Sequence, residues 1–107
     1  MPKYDKLIRD RIPEILDSEK LEYTVRTVDG DDFKSYAHQK LLEEVNEFLI
    51  EPSIEELSDI QEVMTTLLDI YGWSQEDLNS KALAKRKERG SFYKRLVLEE
   101  IISCSSE

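Results

Sequence analysis

Apolar residues recur at helical spacing through the middle of the chain and predict three helices. Three stretches share this spacing and end at a proline or glycine: 32–50, 54–71 and 75–89. Pro52 stops the first, and Ser53, with Glu56 three residues on, is a good N-cap for the second. Gly72 and Gly90 end the second and third. Because the connections are short, neighbouring helices are predicted to be antiparallel.

The segments outside these helices give weaker signals. Residues 22–28 are β-branched and roughly alternating, which predicts a short strand before a turn at Asp29. A short helix is predicted near Ile12, and the tail, residues 92–102, is predicted to form either a strand or a last helix. We therefore expect one mainly α domain over residues 1–107, an antiparallel helical bundle with one or two short terminal strands.

Two pairs of acidic residues lie on helix faces that are expected to meet. At about 100° per residue, Glu44 and Glu47 border the apolar stripe of the first helix. Glu56 and Asp59 lie within or beside the apolar arc of the second. Four clustered carboxylates need compensation, and oxygen ligands favour Mg²⁺ or Mn²⁺. Ordinary rim charges remain an alternative, and Glu56 has another as the capping partner of Ser53.

The composition limits the classes of partner. The net charge of −9 argues against binding to DNA, RNA or anionic membranes, but not against small phosphorylated ligands. A single cysteine, Cys104, excludes an internal disulfide. With no apolar run long enough to span a membrane and no secretory signal, we expect a cytoplasmic protein. The small core favours a homodimer or a larger homo-oligomer.

Several blocks resemble one enzyme superfamily. The acidic residues, EEVNE at 43–47 and ELSD at 56–59, look like the EExxE…ExxD signature of the all-α nucleoside triphosphate pyrophosphatases. These include the MazG proteins, the dimeric dUTPases and phosphoribosyl-ATP pyrophosphohydrolase. KLIRDRIPE at 6–14 resembles the KLVRDKIPE opening of a small MazG-like house-cleaning subgroup, and KLLEE at 40–44 resembles its next block. ERGSF at 88–92 resembles its closing ERGGF, with serine for the second glycine.

The resemblance spans residues 6 to about 100 and implies a MazG-like helical fold with a Mg²⁺-dependent reaction. A nucleoside triphosphate would be hydrolysed between its α and β phosphates, giving a monophosphate and pyrophosphate, to remove noncanonical or surplus nucleotides. The implied metal ligands and catalytic residues are Glu44, Glu47, Glu56 and Asp59. Two alternatives stay open: phosphoribosyl-ATP as the substrate, or a non-catalytic helical module whose acidic surface binds a partner protein.

Basic residues in two places are candidate phosphate ligands. Lys81, Lys85 and Arg89 form a cationic stripe on the third helix, which either meets the triphosphate or is a solvated face near the helix C-terminus. Lys6 and Arg9 belong to the opening block. They either bind phosphate or hold the N-terminal segment in place through ion pairs.

Overall fold

A computed structural model describes residues 4–103, and within them the chain is mainly helical. Its helices are α1 (Ile12–Ser18), α2 (Gly30–Ile50), α3 (Ile54–Tyr71) and α4 (Gln75–Arg89). The three predicted helices are confirmed as α2, α3 and α4, and the short one near Ile12 as α1. Only α2 departs from its predicted limits, beginning two residues before Asp32.

Local chemistry fixes both ends of α3. Ser53 has an extended backbone, and its hydroxyl oxygen accepts a hydrogen bond of 3.1 Å from the Glu56 backbone N–H. At the other end Gly72 adopts a left-handed conformation with φ of 73°. This conformation lets the Trp73 N–H donate to the Leu68 carbonyl at 2.9 Å. The helix therefore starts and stops where its sequence predicts.

The predicted terminal strands are wrong. No strand forms anywhere between residues 4 and 103. Residues 22–28 are irregular because a β-strand needs a partner for its backbone hydrogen bonds, and no segment supplies one. Residues 92–102 form neither of the predicted alternatives, strand or last helix, and contain only a short turn. Cys104 lies outside the described residues.

The chain divides into two compact units, Met1–Ser74 and Gln75–Glu107. In the first unit α2 packs against α3, and the partner positions run in opposite directions. His38 lies 2.8 Å from Tyr71 near one end of the pair, while Glu44 lies beside Glu56 further along. This order confirms that α2 and α3 are antiparallel. The second unit contains α4.

The interface between α2 and α3 is narrow, and a carboxylate lies inside it. Among the described residues the buried ones are Ala37, Val63 and Glu44, and no large side chain is completely buried. Leu42 and Leu49 on α2 are 63% and 69% exposed. The two helices therefore meet along faces that include acidic residues, and several large apolar residues lie exposed on the flanks. No helix within residues 4–103 is both long and apolar enough to cross a membrane.

Candidate metal centre

Three of the four predicted carboxylates converge between α2 and α3. Glu44 comes from the buried face of α2, and Glu56 and Asp59 come from adjacent turns of α3. Each offers one carboxylate oxygen, and these oxygens all lie within 4.8 Å of one another. We call these three residues the acidic cluster. The helical spacing correctly predicted that these side chains face the partner helix.

Two oxygens of the acidic cluster are buried without a hydrogen-bond partner. Glu44 is only 5% exposed, and its Oε1 atom lies 3.3 Å from the Lys40 ammonium. Its Oε2 atom has no hydrogen-bond partner, and neither does the buried Oε2 atom of Glu56. An unpaired carboxylate oxygen is costly to bury, so a proton or a cation is needed there.

The pKa of Glu56 reflects the crowding of carboxylates at this position. Burial, a hydrogen bond that the protonated carboxyl can donate to Glu44, and the charges of Glu47, Glu44 and Asp59 raise the pKa of Glu56 to about 7. In the absence of metal, a proton therefore occupies this carboxyl group for much of the time near neutral pH. A cation that stabilises the ionised cluster has to displace that proton.

The helix cap at Ser53 involves the backbone of Glu56 and leaves a carboxylate oxygen of this residue without a hydrogen bond. The bond to Ser53 uses the backbone N–H of Glu56. The buried Oε2 atom of Glu56 accepts no hydrogen bond. This oxygen is therefore not used by a capping box and is available to the acidic cluster.

Two cationic side chains of the N-terminal segment hold it against the helix pair. The Arg9 guanidinium donates to Asp59 Oδ1 at 2.7 Å, and the Lys6 ammonium donates to Glu43 Oε1 at 3.1 Å. Both pairs are partly exposed. The structure therefore shows the ion-pair alternative for Lys6 and Arg9, which leaves a phosphate contact for the ligand-bound state as a prediction.

Lys40 also pairs with carboxylates of this site, although it is not among the residues predicted from the sequence. Its ammonium lies 3.0 Å from Glu43 and 3.3 Å from Glu44. Burial opposes its charge, but the two carboxylates outweigh burial and raise the pKa of Lys40. Burial likewise opposes ionisation of Glu43, yet Lys40 and Lys6 lower its pKa. The spacing of Lys40 three and four residues before two acids was the signal that could have identified it.

The charged residues in and around the acidic cluster form a charge network whose net charge would be balanced by one divalent cation. Its acidic members are Glu43, Glu44, Glu47, Glu56 and Asp59. Its cationic members are Lys6, Arg9 and Lys40. When every group is ionised, two negative charges remain uncompensated. The donors of the acidic cluster are carboxylate oxygens only, the ligand type that Mg²⁺ and Mn²⁺ prefer, so the residues present fit such an ion.

The other predicted site residues lie outside the acidic cluster. Glu47 is exposed and is not one of the three converging carboxylates, although its charge contributes to the raised pKa of Glu56. Lys81, Lys85 and Arg89 lie on α4 in the second unit and are exposed. Their assignment as phosphate ligands stays a prediction.

Comparison with known proteins adds no relative to this picture. No protein-family model matches the chain, and no curated protein or solved structure matches it. The resemblance to the all-α nucleoside triphosphate pyrophosphatases therefore rests on the sequence blocks described above, and the site rests on its own geometry.

Proposed function

We propose that the chain is a Mg²⁺-dependent nucleoside triphosphate pyrophosphohydrolase. The observation that carries this proposal is the buried Glu44 carboxylate, which has one oxygen without a hydrogen-bond partner and converges with Glu56 and Asp59. A surface that only binds a protein partner gains nothing from a buried carboxylate oxygen that is left without a partner. The resemblance of the acidic blocks to the pyrophosphatase signature supplies the reaction, and it points to noncanonical or surplus nucleotides in the cytoplasm as substrates.

Glu44, Glu56 and Asp59 would hold the cation, and Glu47 is the proposed fourth carboxylate. The chemistry that Mg²⁺ supplies when bound is neutralisation of phosphate oxygens and activation of water. The protein's own contribution is to hold the carboxylates in fixed positions on two packed helices. Such prior organisation avoids a costly rearrangement of charge when the substrate reacts.

Cations around the acidic cluster are positioned to receive a polyphosphate. Lys6 and Lys40 form ion pairs with Glu43, and Arg9 forms an ion pair with Asp59. Their positive charges border the carboxylates on the side of the N-terminal segment, where a triphosphate bound to the same cation would need compensation. Lys81, Lys85 and Arg89 of α4 are proposed as additional phosphate contacts.

The test is release of pyrophosphate from a panel of nucleoside triphosphates with and without Mg²⁺. Glu56→Gln and Asp59→Asn should each lower turnover by about 10²-fold or more, because each removes a charge that the transition state requires. Matched controls on the same helix are Glu55→Gln and Glu62→Gln, both at exposed positions. These two variants should stay within a few-fold of the wild-type rate.

Two results would overturn the proposal. One is the absence of Mg²⁺-dependent release from every triphosphate in the panel, which would leave the partner-binding alternative. The other is a larger loss for Glu55→Gln than for Glu56→Gln, which would show that the carboxylates on the buried side of α3 are not the ones that act. Phosphoribosyl-ATP belongs in the same panel, since its hydrolysis would identify a different substrate with the same chemistry.

A further inference from the structure

A cleft of about 230 Å³ opens beside the acidic cluster, between the N-terminal segment and one face of α2. Three of its lining residues, Lys6, Lys40 and Glu43, belong to the charge network already described. Lys40 links the cleft to the acidic cluster, because it lines the cleft and its ammonium lies 3.3 Å from Glu44.

The cleft also has aromatic and hydrogen-bonding groups in its lining. These are Tyr4, Tyr36 and Gln39. The Tyr36 hydroxyl donates to Asp5 Oδ1 at 2.6 Å and accepts from the Arg26 guanidinium at 2.7 Å. These bonds hold the hydroxyl end of Tyr36, and the Arg26 guanidinium carbon lies 5.5 Å from the centre of the tyrosine ring. An aromatic wall with a nearby amide is the chemistry that recognises a flat, uncharged ring with polar edges.

The charges around the cleft are already satisfied by one another. Asp5 pairs with Tyr36 and lies 3.8 Å from Arg26, while Glu43 pairs with both lysines. A phosphate beside Tyr36 would meet the Asp5 carboxylate, whose cationic neighbour Arg26 is already paired. The surroundings of Tyr36 thus favour a neutral group, and Lys6 and Lys40 favour a charged one.

The backbone at the cleft is also held in an unusual conformation. Asp5 has a φ of 44°, in the left-handed region that few residues other than glycine adopt. The hydrogen bond from Tyr36 to Asp5 helps to hold this conformation.

We propose that this cleft binds the nucleoside part of the nucleotide whose phosphates lie at the acidic cluster, an inference that rests on the proposed function. Its volume suits a base with its sugar and is below the ~300–1,000 Å³ of pockets for larger ligands. The other aromatic surface, the stack of Tyr71 and Trp73 at 4.8 Å, shares no residue with the charge network.

The decisive measurement is calorimetric titration in Mg²⁺ with two kinds of probe. One kind is the non-hydrolysable α,β-methylene analogues of the common ribo- and deoxyribonucleoside triphosphates; the other is inorganic tripolyphosphate, which has no nucleoside. At least one analogue should bind wild-type protein tenfold or more tightly than tripolyphosphate. Tyr36→Leu should weaken the binding of that analogue about tenfold, as removal of a stacking ring usually does, and leave the affinity for tripolyphosphate unchanged.

Three further variants keep the test independent of folding defects. Tyr36→Phe retains the ring and should retain most of the affinity for the analogue. Gln39→Ala alters an exposed residue of the cleft and should also weaken binding of the analogue. It therefore replaces Tyr36→Leu as the test if that variant fails to fold. Trp73→Leu removes an exposed ring from the other aromatic surface and should change neither probe. A loss of analogue affinity in Trp73→Leu alone would move the nucleoside to that surface and overturn the proposal.

The outcomes separate this inference from the proposed function. If tripolyphosphate binds in a Mg²⁺-dependent manner but no analogue binds more tightly, the cleft assignment is overturned and the acidic cluster stands. If the analogues bind but tripolyphosphate does not, and Glu56→Gln has no effect, the proposed function fails while the cleft remains a nucleoside site. If neither probe binds, both fail.

Discussion

Arg9 and a bound cation would compete for the carboxylate of Asp59. Its guanidinium donates to Asp59, one of the three converging carboxylates. A divalent ion at Asp59 repels this positive charge, and the released guanidinium suits the geometry of a phosphate. We therefore expect Arg9→Gln to have opposite effects on two affinities. Mg²⁺ alone should bind several-fold more tightly, and a Mg²⁺–nucleotide complex should bind about tenfold more weakly, both measured by calorimetry.

The neighbouring arginine provides the control for this prediction. Arg11 lies two residues further along, pairs with Glu14 at 3.2 Å and is highly exposed. Arg11→Gln removes the same charge from the N-terminal segment without touching the acidic cluster, so both affinities should stay near those of the wild type. If Arg9→Gln changed both affinities in the same direction, Arg9 would not be exchanging Asp59 for phosphate.

Glu56 makes the stability of the metal-free protein depend on pH. Its pKa is about 7 in the folded chain against an ordinary value of 4.5, so the folded state binds more protons between these limits. The Glu56 contribution is therefore fully present below about pH 4.5 and is lost as the pH rises through about 7. In EDTA, the difference between wild type and Glu56→Gln in urea unfolding should change in this window, with wild type losing relative stability as pH rises. A difference that is constant from pH 5 to 8 would contradict the raised pKa.

The acidic residues could be predicted from the sequence, but the partners of Lys6 and Arg9 could not. Glu44, Glu56 and Asp59 follow from helical periodicity, because the angle of a residue on its helix is a local property. The Lys6–Glu43 and Arg9–Asp59 pairs join an irregular segment to helices many residues away. Contacts of this kind depend on how the segment folds back, which no local pattern in the sequence encodes.

At the scale of elements, the helices were predictable because each carries its own stop signals. Ser53 and Gly72 act on backbone groups within a few residues of themselves, and the structure uses both. The strand predicted at 22–28 failed because its stability depends on a second segment. Alternation of residue types indicates that a segment could pair, and it carries no information on whether a partner exists.

The cap of α3 gives a prediction that separates helix stability from chemistry. Ser53→Ala removes the hydroxyl that accepts the Glu56 backbone N–H, which should lower the free energy of unfolding by about 1 kcal/mol. Turnover at a temperature where the variant is folded should stay close to the wild-type value, because the acidic cluster keeps its carboxylates. Unfolding curves and pyrophosphate release measured on the same preparation provide the check. If Ser53→Ala lost as much turnover as Glu56→Gln, Glu56 would act through the helix end.

Binding of Mg²⁺ should stabilise the whole first unit. An ion that binds only the folded protein adds about 2.7 kcal/mol at a hundred times its dissociation constant. It also removes the repulsion that the buried carboxylates impose in its absence. We expect millimolar Mg²⁺ to raise the melting temperature by several degrees, EDTA to reverse this, and Asp59→Asn to abolish most of it. An unchanged melting curve in Mg²⁺, with nucleotide absent and with nucleotide present, would rule out the acidic cluster as a cation site.

The large apolar residues on the flanks of the helix pair favour self-association. Leu42 and Leu49 lie seven residues apart on α2 and are 63% and 69% exposed, and Leu57 and Met64 repeat this spacing on α3 and are also exposed. A seven-residue repeat places side chains on one side of a helix, where a second helix pair can pack. Since the contact between α2 and α3 buries acidic and small residues, a second copy of the chain is the partner we expect on this flank.

Sedimentation equilibrium at tens of micromolar protein should therefore give at least twice the chain mass of 12.6 kDa. Leu49→Asp places a charge on the flank without disturbing a buried position, so the helix content should persist while the dissociation constant rises tenfold or more. Ile50→Asp is the matched control, because Ile50 is 82% exposed and points about 100° away from Leu49 around α2. A wild-type monomer at these concentrations would refute the assembly, and equal effects of the two substitutions would place the interface elsewhere.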